Sequence, residues 1–147
     1  MNINIQNPNH FKNLPDYNWL KKVAVEVLSR IGTKQVKRLC FTIRFVGTKE
    51  SKDLNFFYRK IDRATNILSF LGSGEAFYLG DLVLCVPIIR SEAVEQSKNL
   101  QHHFTHLLIH GLLHLSGYDH QEIEERSEME HLEIMILKSF NIENPYE

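Results

Sequence analysis

Apolar and polar residues follow one another along the chain with two periods, which predict four strands and five helices. Alternating or β-branched apolar residues indicate strands in four stretches: residues 2–7, 39–47, 65–70 and 79–87. Apolar residues three and four positions apart indicate helices in five others: residues 16–32, 51–61, 88–99, 100–116 and 121–140. Strands mixed with helices in this way predict an α+β fold, a single compact domain over residues 1–147 with a mixed sheet.

The helical spacing also predicts which side chains face the core. In the helix over 51–61, with Ser51 as its N-cap, the inward residues are Leu54, Phe57, Tyr58 and Ile61. In the helix over 88–99 they are Ile89, Ala93 and Val94, and in the last helix they are Met129, Leu132, Ile136 and Phe140. For most Phe and Tyr residues beside the basic segment, such as Phe56 and Tyr58, core packing is therefore the expectation, with base stacking as the alternative.

The composition is that of an ordinary globular protein, with 43% hydrophobic and 24% charged residues in 147. No apolar run reaches the ~20 residues of a membrane span. The first ten residues lack the basic start and apolar stretch of a signal peptide. With two cysteines, Cys40 and Cys85, a disulfide scaffold is excluded, and a reducing cytoplasm is the expected location.

The formal net charge of −1 conceals two regions of opposite sign. Residues 30–63 hold ten Lys and Arg against three Asp and Glu, a net charge of +7. Residues 117–147 hold two basic and nine acidic residues, a net charge of −7. Such a distribution can attract a polyanion locally while the whole molecule stays near neutral. The alternative is that the two regions are solvated helical faces of opposite sign.

Histidines recur every fourth residue in the most apolar helix of the chain, at His106, His110 and His114. This spacing places them on one stripe, but about 12 Å of helix rise separates the first from the last, so one ion cannot bind all three. Gly117 ends the helix and allows the chain to turn back, which places His120 over the last turn. The sequence thus predicts a metal site of His110, His114 and His120 with an open fourth position, the arrangement of a catalytic zinc site. His106 is expected to support this site or to pack beside it.

The hydrolytic pattern nearest to this spacing is H-E-x-x-H, in which a glutamate between two zinc ligands acts as the general base of a metalloprotease. Gly111 occupies the position of that glutamate here. A peptidase activity is therefore disfavoured, although a zinc ion alone still activates water near neutral pH.

These residues carry a family resemblance. The stretch "HLLIHGLLHLSGYDH" is similar to the signature of the YbeY family of bacterial rRNA maturation factors, metal-dependent endoribonucleases of the small ribosomal subunit. Three further stretches resemble the same family: "NFFYRKIDRATNILSF", "LGDLVLC" and "EERSEMEHLEIMIL". The resemblance spans roughly residues 50–140.

The resemblance implies a single-strand-specific endoribonuclease that acts in 16S rRNA 3′-end maturation, ribosome biogenesis and ribosome quality control. Its metal ligands fall on His110, His114 and His120, with one Zn²⁺ or another divalent transition metal per chain, and its phosphate-contacting arginine falls on Arg59. The implied partners are single-stranded RNA, 16S rRNA and the small ribosomal subunit. One position departs from the family pattern, because Asn66 stands where an aspartate is common.

The residues alone leave three functions open. In the nuclease hypothesis the histidines hold the metal and Arg59 neutralises the charge that develops on the phosphate. A small zinc metallopeptidase would share the metal site without needing Arg59. A non-catalytic ribosome-binding protein would use the basic region to dock and the metal only to stabilise the end of the helix.

Overall fold

Four strands form one sheet in the order β1-β2-β4-β3 in the computed structural model, which describes all 147 residues. Their bounds are β1 (Asn2–Gln6), β2 (Cys40–Val46), β3 (Ile67–Leu71) and β4 (Tyr78–Cys85). The strands β1, β2 and β4 are parallel to one another, and β3 is an antiparallel edge strand beside β4. The expected mixed sheet is thus confirmed.

Five α-helices accompany the sheet: α1 (Tyr17–Arg30), α2 (Thr48–Arg59), α3 (Val86–Glu95), α4 (Leu100–Leu115) and α5 (Ile123–Ser139). A short 3-10 turn covers Val36–Arg38. The side chain of Asp16 accepts a hydrogen bond from Trp19 N and begins α1, and the side chain of Asn99 accepts one from His102 N and begins α4. None of the helices combines the length and the apolar character that a membrane span requires.

The two faces of the sheet pack against different helices. Leu82 and Leu84 of β4 belong to the large core, to which α1, α4 and α5 contribute, and Phe104 and Leu112 of α4 lie in it. Val83 and Cys85 point the other way, into a smaller cluster against which Leu54 of α2 packs. Successive residues of a strand point to opposite faces, so α4 and α2 lie on opposite sides of the sheet.

Helix α4 lies close against the sheet at Gly111. A Cβ atom at this position would come within 2.8 Å of Ile67 Cδ1 and of Leu82 Cδ2. A side chain at this position would have to displace the ends of the Ile67 and Leu82 side chains. Position 111 therefore faces the core, where a glutamate could not act on a bound substrate.

The structure corrects three predictions about the outer helices. Helix α2 begins at Thr48, and Ser51 is no cap but a buried residue of the helix, whose Oγ donates to Thr65 O and accepts from Thr65 N. Phe57 and Tyr58 do not face the core, because they are 68% and 59% exposed. Phe56 and Val94 are exposed as well. Their apolar character predicts a core face, but Leu54 is the apolar residue of α2 that packs against the small cluster on this side of the sheet.

Candidate metal centre

Three histidines meet at the C-terminal end of α4. His110 and His114 lie one turn apart, and Gly117, with φ of +100°, reverses the chain after the helix. Tyr118 N donates to Leu113 O at 3.0 Å, which caps the last turn and brings the following loop back over it. The ring of His120 stacks on that of His110 with 5.4 Å between centroids and lies 4.8 Å from that of His114.

The nitrogen atoms of this cluster have the spacing that a metal ion requires. One ligand atom from each of His110, His114 and His120 lies within 4.8 Å of the other two, and Nε2 of His110 is 3.1 Å from Nε2 of His114. Two histidine ligands of a tetrahedral zinc ion lie about 3.3 Å apart, given Zn–N bonds of 2.0–2.1 Å. The three histidines can therefore hold a metal ion with little rearrangement.

A buried carboxylate lies behind the cluster. Glu133 of α5 is 1% exposed, and its Oε1 accepts hydrogen bonds from His110 Nδ1 and His106 Nε2, both at 3.0 Å. Its other oxygen accepts from the hydroxyl of Tyr146 at 2.8 Å. Because an ionised carboxylate only accepts, Nδ1 of His110 carries the proton and Nε2 presents a lone pair to the other histidines. Glu133 thus fixes both the orientation of His110 and the form of the ring that binds a metal.

The pKa values of these groups fit that role. Burial acts to raise the pKa of Glu133, but the hydrogen bonds from His106 and His110 outweigh it and lower the pKa to about 2. Burial raises the pKa of Tyr146, as does the nearby charge of Glu133, so the phenol stays protonated and donates. Burial also lowers the pKa of His114, and the neighbouring His110 and His120 lower it further. His114 is therefore neutral at neutral pH, the form that binds metals.

A cavity of about 300 Å³ opens beside the cluster. Its lining includes His110, His120, Glu133 and Tyr146, together with Met129, Glu130 and Arg126. Arg126, whose Nε lies 3.4 Å from His120 O, was not predicted from the sequence. Nor was Glu133. A signal for Glu133 was present, since this residue lies four positions from Met129 and from Leu137 on the apolar stripe of α5, where an unpaired glutamate is not expected.

Comparison with known proteins places the chain in a family. A model of the family described as Endoribonuclease YbeY matches residues 4–141. The chain belongs to the YbeY endoribonuclease family. A relative from Acinetobacter baumannii (strain ATCC 17978), named Endoribonuclease YbeY, is 46% identical over 137 aligned positions, covering 87% of this chain and 85% of the relative. Another relative of the same name, from Coxiella burnetii (strain Dugway 5J108-111), is 41% identical. That alignment covers 100% of this chain and 99% of the relative.

A solved structure supports the fold. The solution structure of TM1509 from Thermotoga maritima superposes with a TM-score of 0.61 at 23% identity, covering 95% of this chain and 91% of that one. The α+β architecture expected from the sequence is therefore confirmed.

Arg59, the other residue to which the family resemblance assigns a role, lies apart from the histidine cluster in this YbeY-family chain. It is the last residue of α2, on the opposite side of the sheet from α4, and it is exposed. It is not among the residues that line the cavity. The structure brings the three histidines together and leaves the role of Arg59 as a prediction.

Asn66, where the YbeY resemblance leads one to expect an aspartate, makes its side-chain contacts elsewhere. Its Nδ2 donates to both carboxylate oxygens of Glu92, at 3.2 and 3.3 Å. Glu92 in turn pairs with His103 Nε2 at 2.9 Å, near the N-terminal end of α4. The amide of Asn66 therefore complements a carboxylate that this chain already holds at that place.

Proposed function

We propose that this protein is a single-strand-specific, metal-dependent endoribonuclease that acts in 16S rRNA 3′-end maturation, ribosome biogenesis and ribosome quality control. The observation that carries the proposal is the cluster of His110, His114 and His120, oriented by Glu133 beside an open cavity, in a chain of the YbeY endoribonuclease family. Relatives named as endoribonucleases cover most of the chain, which supports one nuclease domain over residues 1–147.

The three histidines would hold one Zn²⁺ or another divalent transition metal. Such an ion, when bound, supplies Lewis-acid stabilisation of phosphate charge and a source of nucleophilic water near neutral pH. The protein's part is to present ring nitrogens of three histidines to one point. Glu133 keeps the proton of His110 on Nδ1, and burial keeps His114 unprotonated, so the lone pairs face one another without a competing proton.

Two arginines are suited to the phosphate groups of an RNA chain. A guanidinium binds phosphate oxygens through two parallel hydrogen bonds and stays charged at any working pH. Arg126 lines the cavity and would contact a phosphate held there. Arg59, which forms no ion pair, would neutralise charge on the RNA backbone where the RNA crosses the end of α2.

The rival peptidase activity is disfavoured by the packing of α4. The general base of the H-E-x-x-H pattern would have to occupy position 111, which faces the core, with a Cβ only 2.8 Å from Ile67 Cδ1 and from Leu82 Cδ2. Hydrolysis of a peptide bond would thus lack the group that activates the attacking water.

We further propose that the RNA is 16S rRNA on the small ribosomal subunit, in the cytoplasm.

The proposal is tested by cleavage of a single-stranded RNA with the sequence of the 16S 3′ end, with metal analysis of the same samples. Wild type is expected to hold about one metal ion per chain and to cut the single strand but not a duplex of the same sequence. His114→Ala should lose both metal and cleavage. Arg59→Glu and Arg126→Gln should keep the metal and lose cleavage.

Two results would contradict the proposal. Bound metal without cleavage would indicate a ribosome-binding protein that uses the ion to stabilise the end of α4. Cleavage that persists in His114→Ala would place the active site elsewhere.

A further inference from the structure

Three aromatic rings form a surface on the side of the molecule opposite α4. The rings of Phe57 and Tyr58 meet edge to face with 4.8 Å between centroids, and Tyr58 meets Phe70 of β3 in the same way at 4.9 Å. Phe57 and Tyr58 expose more than half of their area to solvent. Side chains of this size normally lie inside a protein, so their exposure indicates a binding surface.

The charges around these rings suit a polyanion. Lys60 Nζ lies 5.8 Å from the centre of the Phe57 ring, and Arg59 follows Tyr58 directly. The nearby acidic residues are already engaged, because Asp53 pairs with Lys49 and Asp62 lies 3.8 Å from Lys52. Neither Arg59 nor Lys60 has an acidic partner. The aromatic rings are therefore bordered by free positive charge.

The rings and the histidine cluster lie at the same end of the edge strand β3. Tyr58 touches Phe70, and the next residue of β3, Leu71, pairs with Gly80 of β4. On the other side of the sheet, a Cβ on Gly80 would come within 3.0 Å of Leu115 Cδ2, and Leu115 follows His114. Only the edge of the sheet thus separates the end of α2 from the end of α4.

We propose that Phe57, Tyr58 and Phe70 form a stacking surface for the bases of single-stranded RNA, with Arg59 and Lys60 holding its phosphates. The RNA chain would pass from this surface over the end of β3 to the histidine cluster. This inference rests on the proposed function, because it supplies the binding surface for the same substrate. Unpaired bases stack on exposed aromatic rings without regard to sequence, whereas the bases of a duplex are already stacked on each other.

The test is the affinity of the zinc-loaded protein for a fluorescently labelled single-stranded RNA of about 12 nucleotides, followed by anisotropy. Phe57→Ala and Tyr58→Ala are each expected to weaken binding about 5-fold or more. Phe57→Tyr and Tyr58→Trp keep an aromatic ring and should retain the affinity of wild type. Val94→Ala, which removes an 80% exposed apolar side chain from α3, is the matched control and should have no effect.

Two results would overturn the stacking surface: alanine variants that bind as well as wild type, or no binding by wild type. Equal weakening for single-stranded and duplex RNA would also overturn it, because electrostatic attraction does not need unpaired bases. Phe57 is 68% exposed, so Phe57→Ala remains informative even where Tyr58→Ala disturbs the fold.

Cleavage measured on the same samples separates this inference from the proposed function. Binding that depends on the rings without any cleavage would support the stacking surface and contradict the nuclease. Cleavage by wild type combined with ring-independent binding would overturn the stacking surface alone.

Discussion

Helix α4 carries a histidine paired with a glutamate near each end, and the two pairs differ in what lies beyond them. Near the N-terminal end, His103 pairs with Glu92, which also accepts from Asn66. Toward the C-terminal end, His110 pairs with Glu133, which also accepts from His106 and Tyr146. The distances are nearly the same, 2.9 and 3.0 Å.

The difference lies in the second nitrogen of each imidazole ring. Nδ1 of His103 is buried and has no hydrogen-bond partner, so this ring ends its network. Nε2 of His110 is 3.1 Å from His114 and close to His120. A carboxylate–histidine pair alone is a structural element of a core. It becomes part of a metal site only where the free nitrogen meets further ligands.

The largest expected effect concerns the two carboxylates in the metal-free protein. Glu133→Ala should lower the free energy of unfolding by about 3 kcal/mol, because it leaves two partly buried imidazole donors and the Tyr146 hydroxyl without their acceptor. Glu92→Ala should cost about 1 kcal/mol, since Glu92 is partly exposed and water can replace it. Urea denaturation measures both, and equal losses would contradict the contrast in burial.

The next effect separates the two pairs by metal affinity. Glu133→Gln should weaken zinc binding about 10- to 100-fold, since an amide oxygen is a poorer acceptor and orients His110 less firmly. Glu92→Gln, the matched substitution at the other end of α4, should leave the affinity unchanged. Competition with a chromophoric chelator gives both constants. A comparable loss in the two variants would show that Glu133 has no particular connection with the site.

Asn66→Asp tests whether the amide is matched to Glu92. The substitution places two carboxylates about 3 Å apart, where like charges repel, and should lower the free energy of unfolding at neutral pH by about 1 kcal/mol. Zinc affinity should not change, because the side chain of Asn66 bonds to Glu92 and not to the histidine cluster. A gain in stability, or a change in zinc affinity, would contradict this account of the departure from the family pattern.

Acidification should have the smallest effect, and it acts in the same direction at both ends of α4. Burial lowers the pKa of His103 and of His114, so the unfolded chain binds more protons below its histidine pKa of about 6.5. The Tm of the metal-free protein should therefore fall as the pH decreases from 7.5 to 5.5. Glu133, with a pKa of about 2, stays ionised throughout this range and does not contribute.

Replacement of His103 isolates its share of the pH dependence. In His103→Gln the decrease of Tm with acidification should become smaller, because one of the two groups is gone. A Tm that rises on acidification of wild type would contradict the sign of both pKa shifts.

Much of the site could be predicted because its ligands are local in sequence. His110 and His114 are one helical turn apart, and Gly117 indicates the reversal that brings His120 back. Glu133 comes from another helix, and its contact with His110 depends on how α4 and α5 pack. No periodicity within either helix encodes that contact. A glutamate on the buried stripe of α5 does, however, indicate that Glu133 has a polar partner.

The fold shows the same division between local and long-range information. The strands and helices follow from local periodicity, and the predicted numbers of both are confirmed. The strand order β1-β2-β4-β3 depends on long-range pairing and was not predicted. The predicted core positions of Phe57 and Tyr58 were wrong, because apolar spacing within a helix does not show whether another element covers that face.

The most direct test of the contrast between the two ends of α4 is a zinc titration of wild type, His114→Ala and His103→Ala. Wild type and His103→Ala are expected to bind about one ion per chain with similar affinity, His103→Ala with a lower Tm. His114→Ala should bind at least about 100-fold more weakly, because one of three ligands is missing. Retention of zinc by His114→Ala, or its loss from His103→Ala, would contradict the assignment of the metal site to the C-terminal end of the helix.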